Sequence, residues 1–137
     1  MRYFILLICF MWTQTAQAIE LLIADKARYD VFVPQTEEAK QKGLMFVREL
    51  PKNQGMLFDL RDIANVSMWM KNTYIPLDMI FIDCNQKIVD IYEMAEPLSL
   101  KKISSPHDFC YVLELNGGEV SKKSIKRNDL LFFTLPY

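Results

Sequence analysis

A six-residue segment in the middle of the chain reads Leu77-Asp78-Met79-Ile80-Phe81-Ile82 and is apolar at every position after Asp78. Successive side chains of a β-strand point to opposite faces, so an unbroken apolar run gives a strand that is apolar on both faces. Such a run is typical of a strand that is covered on both sides. The sequence therefore predicts a central buried strand here, with the other extended segments paired around it.

Further strand candidates lie on both sides of this segment and are separated by short turns. They cover residues 19–24, 28–33, 56–60, 66–70, 87–93, 110–115 and 130–135. A short helix is predicted to follow the N-cap Thr36 and to end at Gly43, and a second to cover residues 119–125. Many short strands with little helix predict a mainly β fold, as a single β-sandwich, jelly-roll-like or barrel-like domain.

The first 18 residues carry the three parts of a secretion signal. The chain starts with Met1-Arg2-Tyr3, continues with an apolar run over residues 4–12, and reaches the small-x-small ending Ala16-Gln17-Ala18. As a helix, this run reaches only about 13 Å, far less than the ~30 Å hydrocarbon layer of a membrane. We therefore predict a signal peptide over residues 1–18, cleavage after Ala18, and export to the periplasm or the extracellular space. The mature chain is then a single β-rich domain over residues 19–137 with no transmembrane span.

Two cysteines, Cys84 and Cys110, remain after this cleavage. In an oxidising compartment an even pair favours a disulfide, and the alternative is two separate small apolar side chains. The net charge of −1 argues against nucleic acid as a partner. The sequence does not specify an oligomeric state.

The most distinctive motif reads Met68-Trp69-Met70-Lys71-Asn72-Thr73-Tyr74-Ile75-Pro76-Leu77-Asp78-Met79-Ile80-Phe81-Ile82-Asp83. It resembles the hallmark of the domain of unknown function 192 family. Three shorter segments match the same family in the same order: Gly43-Leu44-Met45-Phe46, Gly55-Met56-Leu57-Phe58 and Tyr111-Val112-Leu113-Glu114-Leu115-Asn116-Gly117-Gly118. The resemblance implies a compact jelly-roll-type β-sandwich, often exported, and it implies no agreed activity.

Near its C-terminus the chain departs from the family pattern Gly-Ile-x-x-Gly-Asp, because Ser124 and Asn128 stand where the glycines would be. Asn adopts a positive φ readily, whereas Ser does so less well. We therefore expect the turn at Asn128 to be kept and the turn at Ser124 to be rebuilt.

Five residues of the motif form the candidate ligand site: Trp69, Lys71, Asn72, Thr73 and Asp78. If residues 66–70 form a strand, Trp69 and Lys71 share one of its faces, with amide and hydroxyl groups at its end. An indole beside hydrogen-bonding groups suits a sugar or another small polar ligand. The alternative is structural: Trp69 covers the core, Asn72 and Thr73 bind backbone groups, and Asp78 pairs with Lys71.

Our hypothesis for function is an exported, non-catalytic binding module for a small polar ligand, either a saccharide or an envelope component. One alternative is an enzyme centred on Lys71 and Asp78, and another is an accessory envelope protein that binds a partner chain at a strand edge. No cofactor is predicted. No metal site is predicted either, because His107 is the single histidine and no Cys-x-x-Cys pair exists.

Overall fold

The structure is a computed structural model that describes residues 17–137. The predicted secretion signal covers residues 1–18, so all but its last two residues lie outside the described part of the chain. Ala18, after which cleavage is predicted, is the first residue of a β-strand.

Residues 17–137 form seven strands and two short helices. In chain order these are β1 (Ala18–Ile23), β2 (Ala27–Phe32), α1 (Glu37–Lys42), β3 (Gln54–Asp59), β4 (Leu77–Ile82), β5 (Ile88–Ala95), β6 (Tyr111–Asn116), α2 (Glu119–Lys123) and β7 (Leu131–Phe132). The prediction of a mainly β fold with one or two short helices is confirmed.

All seven strands belong to one sheet, in the order β5-β4-β6-β3-β2-β1-β7. Neighbouring strands are antiparallel, except for β2 and β3, which are parallel. The two outer strands approach each other at one end, where Lys87 and Leu130 form an isolated bridge. Beside it, the Ile88 N–H donates to the Asp129 carbonyl over 2.9 Å. We call this contact the seam; it makes the sheet curl toward closure, which fits the barrel-like alternative.

The sheet separates two apolar cores. The central strand β4 lies between β5 and β6 with all six residues buried, which confirms the predicted strand covered on both faces. Ile80 and Ile82 point into the inner core, to which all seven strands and α2 contribute. Met79 and Phe81 point into the outer core, which loop residues such as Met70 complete. The alternation of side chains along β4 thus supplies both cores.

The first helix begins and ends where the sequence predicts. The Thr36 side chain accepts a hydrogen bond from the Ala39 N–H over 3.1 Å. Gly43 ends the helix with a φ of +47°, a conformation that glycine adopts without strain. Within residues 17–137, neither helix is long and apolar enough to cross a membrane.

Residues 66–70 do not form the predicted strand. Only Met68 pairs, in an isolated bridge to Ile103 with hydrogen bonds of 2.7 and 2.8 Å. The segment packs Met68 and Met70 onto the outer core, so it lies across the face of the sheet. Residues 99–103 lie beside it but add only one further hydrogen bond, from the Met70 N–H to the Ser99 carbonyl at 3.0 Å. No edge of the sheet is within reach, which is why the alternating pattern does not produce a strand. The predicted strand over 130–135 is likewise shorter, since β7 covers only Leu131–Phe132.

The turn near the C-terminus keeps both of its left-handed positions. Asn128 has a φ of +74°, as expected, and Ser124 has a φ of +54°. The expectation that the turn at Ser124 is rebuilt is therefore wrong: the serine adopts the glycine-like conformation. It caps the C-terminus of α2, where its N–H donates to the Val120 and Ser121 carbonyls.

Cys84 and Cys110 are joined as a disulfide, with Cα atoms 5.1 Å apart. This separation is within the usual range for a bridge. Cys84 follows β4 and Cys110 precedes β6, so the bond ties together the ends of two neighbouring strands of the sheet.

Candidate functional site

A cleft with a volume of 730 Å³ lies on the outer-core side of the sheet. One wall is formed by residues 37–46, which include α1 and the turn after it, and the other by residues 60–73. Phe58 and Glu114, from strands β3 and β6, complete its lining. We refer to this space as the cleft.

Trp69 and Lys71 lie together on the cleft wall. The Trp69 side chain is 44 % exposed, and the Lys71 Nζ lies 5.1 Å from the centre of its ring. The predicted alternation holds even without a strand, since Met68 and Met70 face the outer core while Trp69 and Lys71 face outward. The result is an accessible aromatic surface with a cation over it, a contact favoured by the ring's negative face.

Asn72 and Thr73 form the turn that follows. Asn72 has a φ of +53°, and its carbonyl accepts from the Phe46 N–H over 2.8 Å. Thr73 is buried, and its hydroxyl donates to the Lys71 carbonyl over 3.1 Å. Thr73 lines the cleft, whereas Asn72 does not. The Thr73 contact matches the structural alternative, whereas the Asn72 contact is made by its main chain. Both contacts fix the backbone that carries Lys71.

Asp78 does not belong to this group. It points to the same side of β4 as Ile80, away from the cleft, and is fully buried. Its carboxylate accepts backbone hydrogen bonds from Met94 at 2.9 Å, Gly118 at 3.0 Å and Val120 at 2.9 Å. The prediction that Asp78 belongs to the ligand site is therefore wrong, because the sheet separates it from the cleft.

The proposed partnership of Lys71 with Asp78 is wrong for the same reason, both as an ion pair and as a catalytic centre. Lys71 is exposed at the cleft, while the oxygens of Asp78 are taken up by three backbone donors on the far side of β4. The role of Asp78 is to hold the N-terminus of α2 and the bend at Met94 against the sheet.

Glu114 is the residue of the cleft that the sequence analysis missed. It lies in the middle of β6, is only 4 % exposed, and still lines the cleft. Burial alone raises the pKa of its carboxyl to about 8, with no hydrogen bond or nearby charge from residues 17–137 to offset it. The signal in the sequence was a single acid flanked by apolar residues, in Tyr111-Val112-Leu113-Glu114-Leu115.

A second charged cluster lies outside the cleft, around Asp59. Burial favours its neutral form, but two hydrogen bonds from Arg61, at 2.9 and 2.7 Å, and one from the Tyr137 hydroxyl at 2.7 Å outweigh it. The pKa of Asp59 is consequently lowered to about 2, and that of Tyr137 is raised to about 12 by burial and by Asp59. With every oxygen of Asp59 engaged, this cluster fastens the C-terminal end to β3.

His107 is exposed beside Arg127, whose Nη2 lies 2.8 Å from its Nε2. Cys110 is held in the disulfide and offers no thiol to it. Within residues 17–137, no three His, Cys, Asp or Glu side chains are grouped in a way that could hold a metal ion.

Comparison with known proteins gives one family and two similar crystal structures. The chain is similar to a proposed transcription regulator from Sinorhizobium meliloti 1021, at 34 % identity and a TM-score of 0.82 over 86 % of this chain and 95 % of that one. It is also similar to a protein of unknown function from Novosphingobium aromaticivorans DSM 12444, at 28 % identity and a TM-score of 0.82 over 88 % of each chain. No curated protein matches the sequence.

The family model that matches is the one described as "Uncharacterized ACR", and it covers residues 19–133. This range includes every strand and both helices apart from Ala18. The resemblance read from the motif is thereby confirmed over nearly the whole described chain. The chain belongs to the domain of unknown function 192 family (DUF192).

Proposed function

We propose that this chain is an exported, non-catalytic binding module whose cleft takes a small polar ligand, either a saccharide or another component of the cell envelope. The observation that carries the proposal is the exposed indole of Trp69 in the cleft, with the Lys71 ammonium 5.1 Å from its ring centre. A sugar ring has an apolar face of C–H groups that stacks on an indole, and polar edges that need hydrogen-bonding groups.

The dimensions and lining of the cleft support this proposal. Its volume of 730 Å³ falls within the range of roughly 300–1,000 Å³ that is usual for small-molecule sites. Its lining combines apolar side chains such as Phe58 and Leu60 with a few polar ones, among them Lys71 and Glu114. Such a surface suits a ligand that is apolar on one side and polar on the other.

The two alternatives have less support. An enzyme centred on Lys71 needs Asp78 beside it, and Asp78 is sealed on the other side of the sheet. A partner chain that adds to a strand edge needs a free edge, and the start of the outer edge of β5 is already taken at the seam.

Export is supported by the charged start, short apolar run and small-x-small ending of residues 1–18. The bond between Cys84 and Cys110 fits an oxidising compartment. We expect the full-length precursor, expressed in a Gram-negative host, to yield periplasmic protein whose N-terminus is Ile19 by intact mass. A cytosolic product that still begins at Met1 would contradict export.

The binding proposal is tested with the mature chain, residues 19–137, in which Trp69 is the single tryptophan because the other one is Trp12. Titration with glucose, galactose, glucosamine and N-acetylglucosamine is followed by Trp69 fluorescence and by calorimetry. We expect a saturable change for at least one sugar, with affinity reduced about tenfold by Lys71→Ala, which is typical of a lost polar contact.

The control variant is Lys101→Ala. Lys101 makes a similar contact with Tyr92, at 5.7 Å from its ring centre, and neither residue lines the cleft. Binding should be unchanged in this variant. The proposal fails if no sugar perturbs Trp69, or if both lysine variants weaken binding equally.

A further inference from the structure

We propose that Glu114 binds the ligand directly, and that the ligand presents a secondary amide to it, as an N-acetylated sugar does through its acetamido group. The inference rests on the proposed function, because it names the class of ligand for the same cleft. It assigns a role to the buried carboxyl of the cleft, which makes no hydrogen bond within residues 17–137.

The position of Glu114 is unlike that of any other acid in residues 17–137. Its strand β6 runs between β3 and β4, and the residues paired with it on the two sides are Met56 and Met79. Both neighbours are apolar, and the carboxyl receives no hydrogen bond from the described chain. Since Glu114 nevertheless lines the cleft, the cleft is the direction from which a partner can reach it.

A nearly buried carboxyl that the fold leaves without a partner is uncommon. Because no fully sealed side-chain oxygen of residues 17–137 lacks a hydrogen bond, the unpartnered oxygens of Glu114 are open to the cleft. A carboxyl that only served the fold would be held by the fold, as Asp78 is by three backbone N–H groups. At Glu114 the strand offers no such donors, because the backbone groups on either side are used in pairing with β3 and β4. A ligand group at the cleft floor would supply what the fold does not.

The protonation state of Glu114 selects the chemistry of that ligand group. With a pKa raised to about 8 by burial, the carboxyl is mostly protonated near pH 7. A neutral carboxylic acid offers one O–H donor and one carbonyl acceptor side by side. An acetamido carbonyl is a strong uncharged acceptor for this O–H, while the N–H of the trans amide points the other way and is left to a different partner.

A ligand ammonium is the competing chemistry, and it fits less well. It would require the ionised form of Glu114 and would bring a second charge into an apolar floor, at a desolvation cost for both ions. The amide carbonyl accepts a hydrogen bond from the neutral carboxyl without bringing a second charge to the cleft floor. The sugar ring that carries the acetamido group can then stack on Trp69 at the cleft wall.

Other charged groups also face the cleft, so their titration must be separated from that of Glu114. Those on α1 are Glu37, Glu38, Lys40 and Lys42, and the one on the opposite wall is Lys71. The neighbouring strands β3 and β4 contribute Met56 and Met79 beside Glu114, which do not titrate. A Glu114→Gln variant leaves all five charged groups in place, so the difference between it and the natural chain reports Glu114 alone.

The experiment measures the affinity of the mature chain for N-acetylglucosamine, glucosamine and glucose by calorimetry between pH 6 and pH 9.5. We expect N-acetylglucosamine to bind at least about tenfold more tightly than the other two at pH 7, and its affinity to be constant up to about pH 8. Above that pH the O–H donor is lost, and affinity should fall by about tenfold per pH unit.

Three variants complete the test. Glu114→Gln keeps a donor and an acceptor, so it should bind N-acetylglucosamine within about threefold of the natural chain but without the pH dependence. Glu114→Met removes both groups and should weaken binding by about tenfold or more. Glu93→Gln alters an exposed acid on β5 and should match the natural chain at every pH.

The outcomes separate this inference from the proposed function. Binding of glucosamine in preference to N-acetylglucosamine, equal binding of all three sugars, or a pH profile shared by Glu114→Gln would overturn the role of Glu114 while a sugar still bound at Trp69. Failure of every sugar to bind would overturn both.

Discussion

Asp78 and Glu114 are two buried carboxyls on adjacent strands of one sheet, and they have opposite surroundings. In the pairing of β4 with β6, Asp78 stands opposite Leu115, and Glu114 stands opposite Met79. This offset of one residue puts the two carboxyls on opposite faces of the sheet. Asp78 is held by three backbone donors, whereas Glu114 has none and faces the cleft.

Hydrogen bonding within the fold separates a structural acid from a functional one in this protein. Burial is nearly the same for both residues, so burial alone does not distinguish them. The distinguishing observation is whether the fold supplies the hydrogen bonds. An acid that the fold satisfies stabilises the fold, and an acid that it leaves unsatisfied lowers stability and is available to a ligand.

The largest effect is expected at Asp78. Replacement by Ala leaves the N–H groups of Met94, Gly118 and Val120 without their acceptor, and we expect a loss of about 3–5 kcal/mol in the free energy of unfolding. Urea denaturation at pH 7 measures it. The control is Asp83→Ala, which removes a carboxylate bound to the exposed N–H groups of Asn85 and Lys87 and should cost only about 1 kcal/mol.

The disulfide joins the ends of β4 and β6, the strands that carry the two acids. For a sequence separation of 26 residues, replacing both cysteines by Ala should lower stability by about 3–4 kcal/mol. The effects of Asp78→Ala and Glu114→Gln should be unchanged in that background, as for independent sites. Intact-mass analysis after alkylation without reductant checks the bond itself, and uptake of two labels would rule it out.

Replacing Glu114 is expected to raise the free energy of unfolding, whereas replacing Asp78 lowers it. Its pKa is raised from 4.5 to about 8 in the folded chain, so the folded state binds the proton more tightly than the unfolded state does. The contribution of Glu114 is therefore least unfavourable at low pH, and stability is lost as the pH rises from about 4.5 to 8.

Glu114→Gln removes this loss. We expect the free energy of unfolding of the variant to match that of the natural chain near pH 4.5 and to exceed it by about 3 kcal/mol at pH 8. This value converts the raised pKa at 1.36 kcal/mol per unit and is reduced because the folded chain can relax around the charge. Urea denaturation at both pH values measures the difference. A variant that is less stable than the natural chain at pH 8 would show that the fold does satisfy Glu114.

The smallest effect on stability is expected at the cleft wall. Lys71 is exposed and makes no ion pair within residues 17–137, so Lys71→Ala should change the free energy of unfolding by less than about 0.5 kcal/mol. The same change should weaken ligand binding. If it destabilised the chain as strongly as Asp78→Ala, Lys71 would belong to the fold and not to the cleft.

The fold was largely predictable because alternation and apolar runs report directly on strands. Residues 77–82 are apolar on both faces, so the sequence alone predicts their burial. Thr36 and Gly43 specify the ends of α1 through local hydrogen bonds and backbone conformation. The predicted strand over residues 66–70 is absent because an alternating pattern indicates only which side chains are buried. It does not record whether a neighbouring strand edge is present.

The candidate site was only partly predictable. Trp69, Lys71 and Thr73 do line the cleft, because they share one short segment and its direction follows from the sequence. Asp78 lies on the face away from the cleft and Glu114 on the face toward it because of the register between β4 and β6. This register brings together residues more than thirty positions apart. A local motif carries no information about such a register.

The seam between β5 and β7 constrains the order in which the chain folds. It depends on residues 128–131, which bond to residues 86–88 and also place β7 beside β1, although they follow β5 by more than thirty positions. Until residues 128–131 are in place, the start of β5 and residues 22–23 of β1 present unpaired backbone donors and acceptors, a known route to aggregation. The two outer strands of the sheet can therefore be joined only after residues 128–131 have folded back onto β5 and β1.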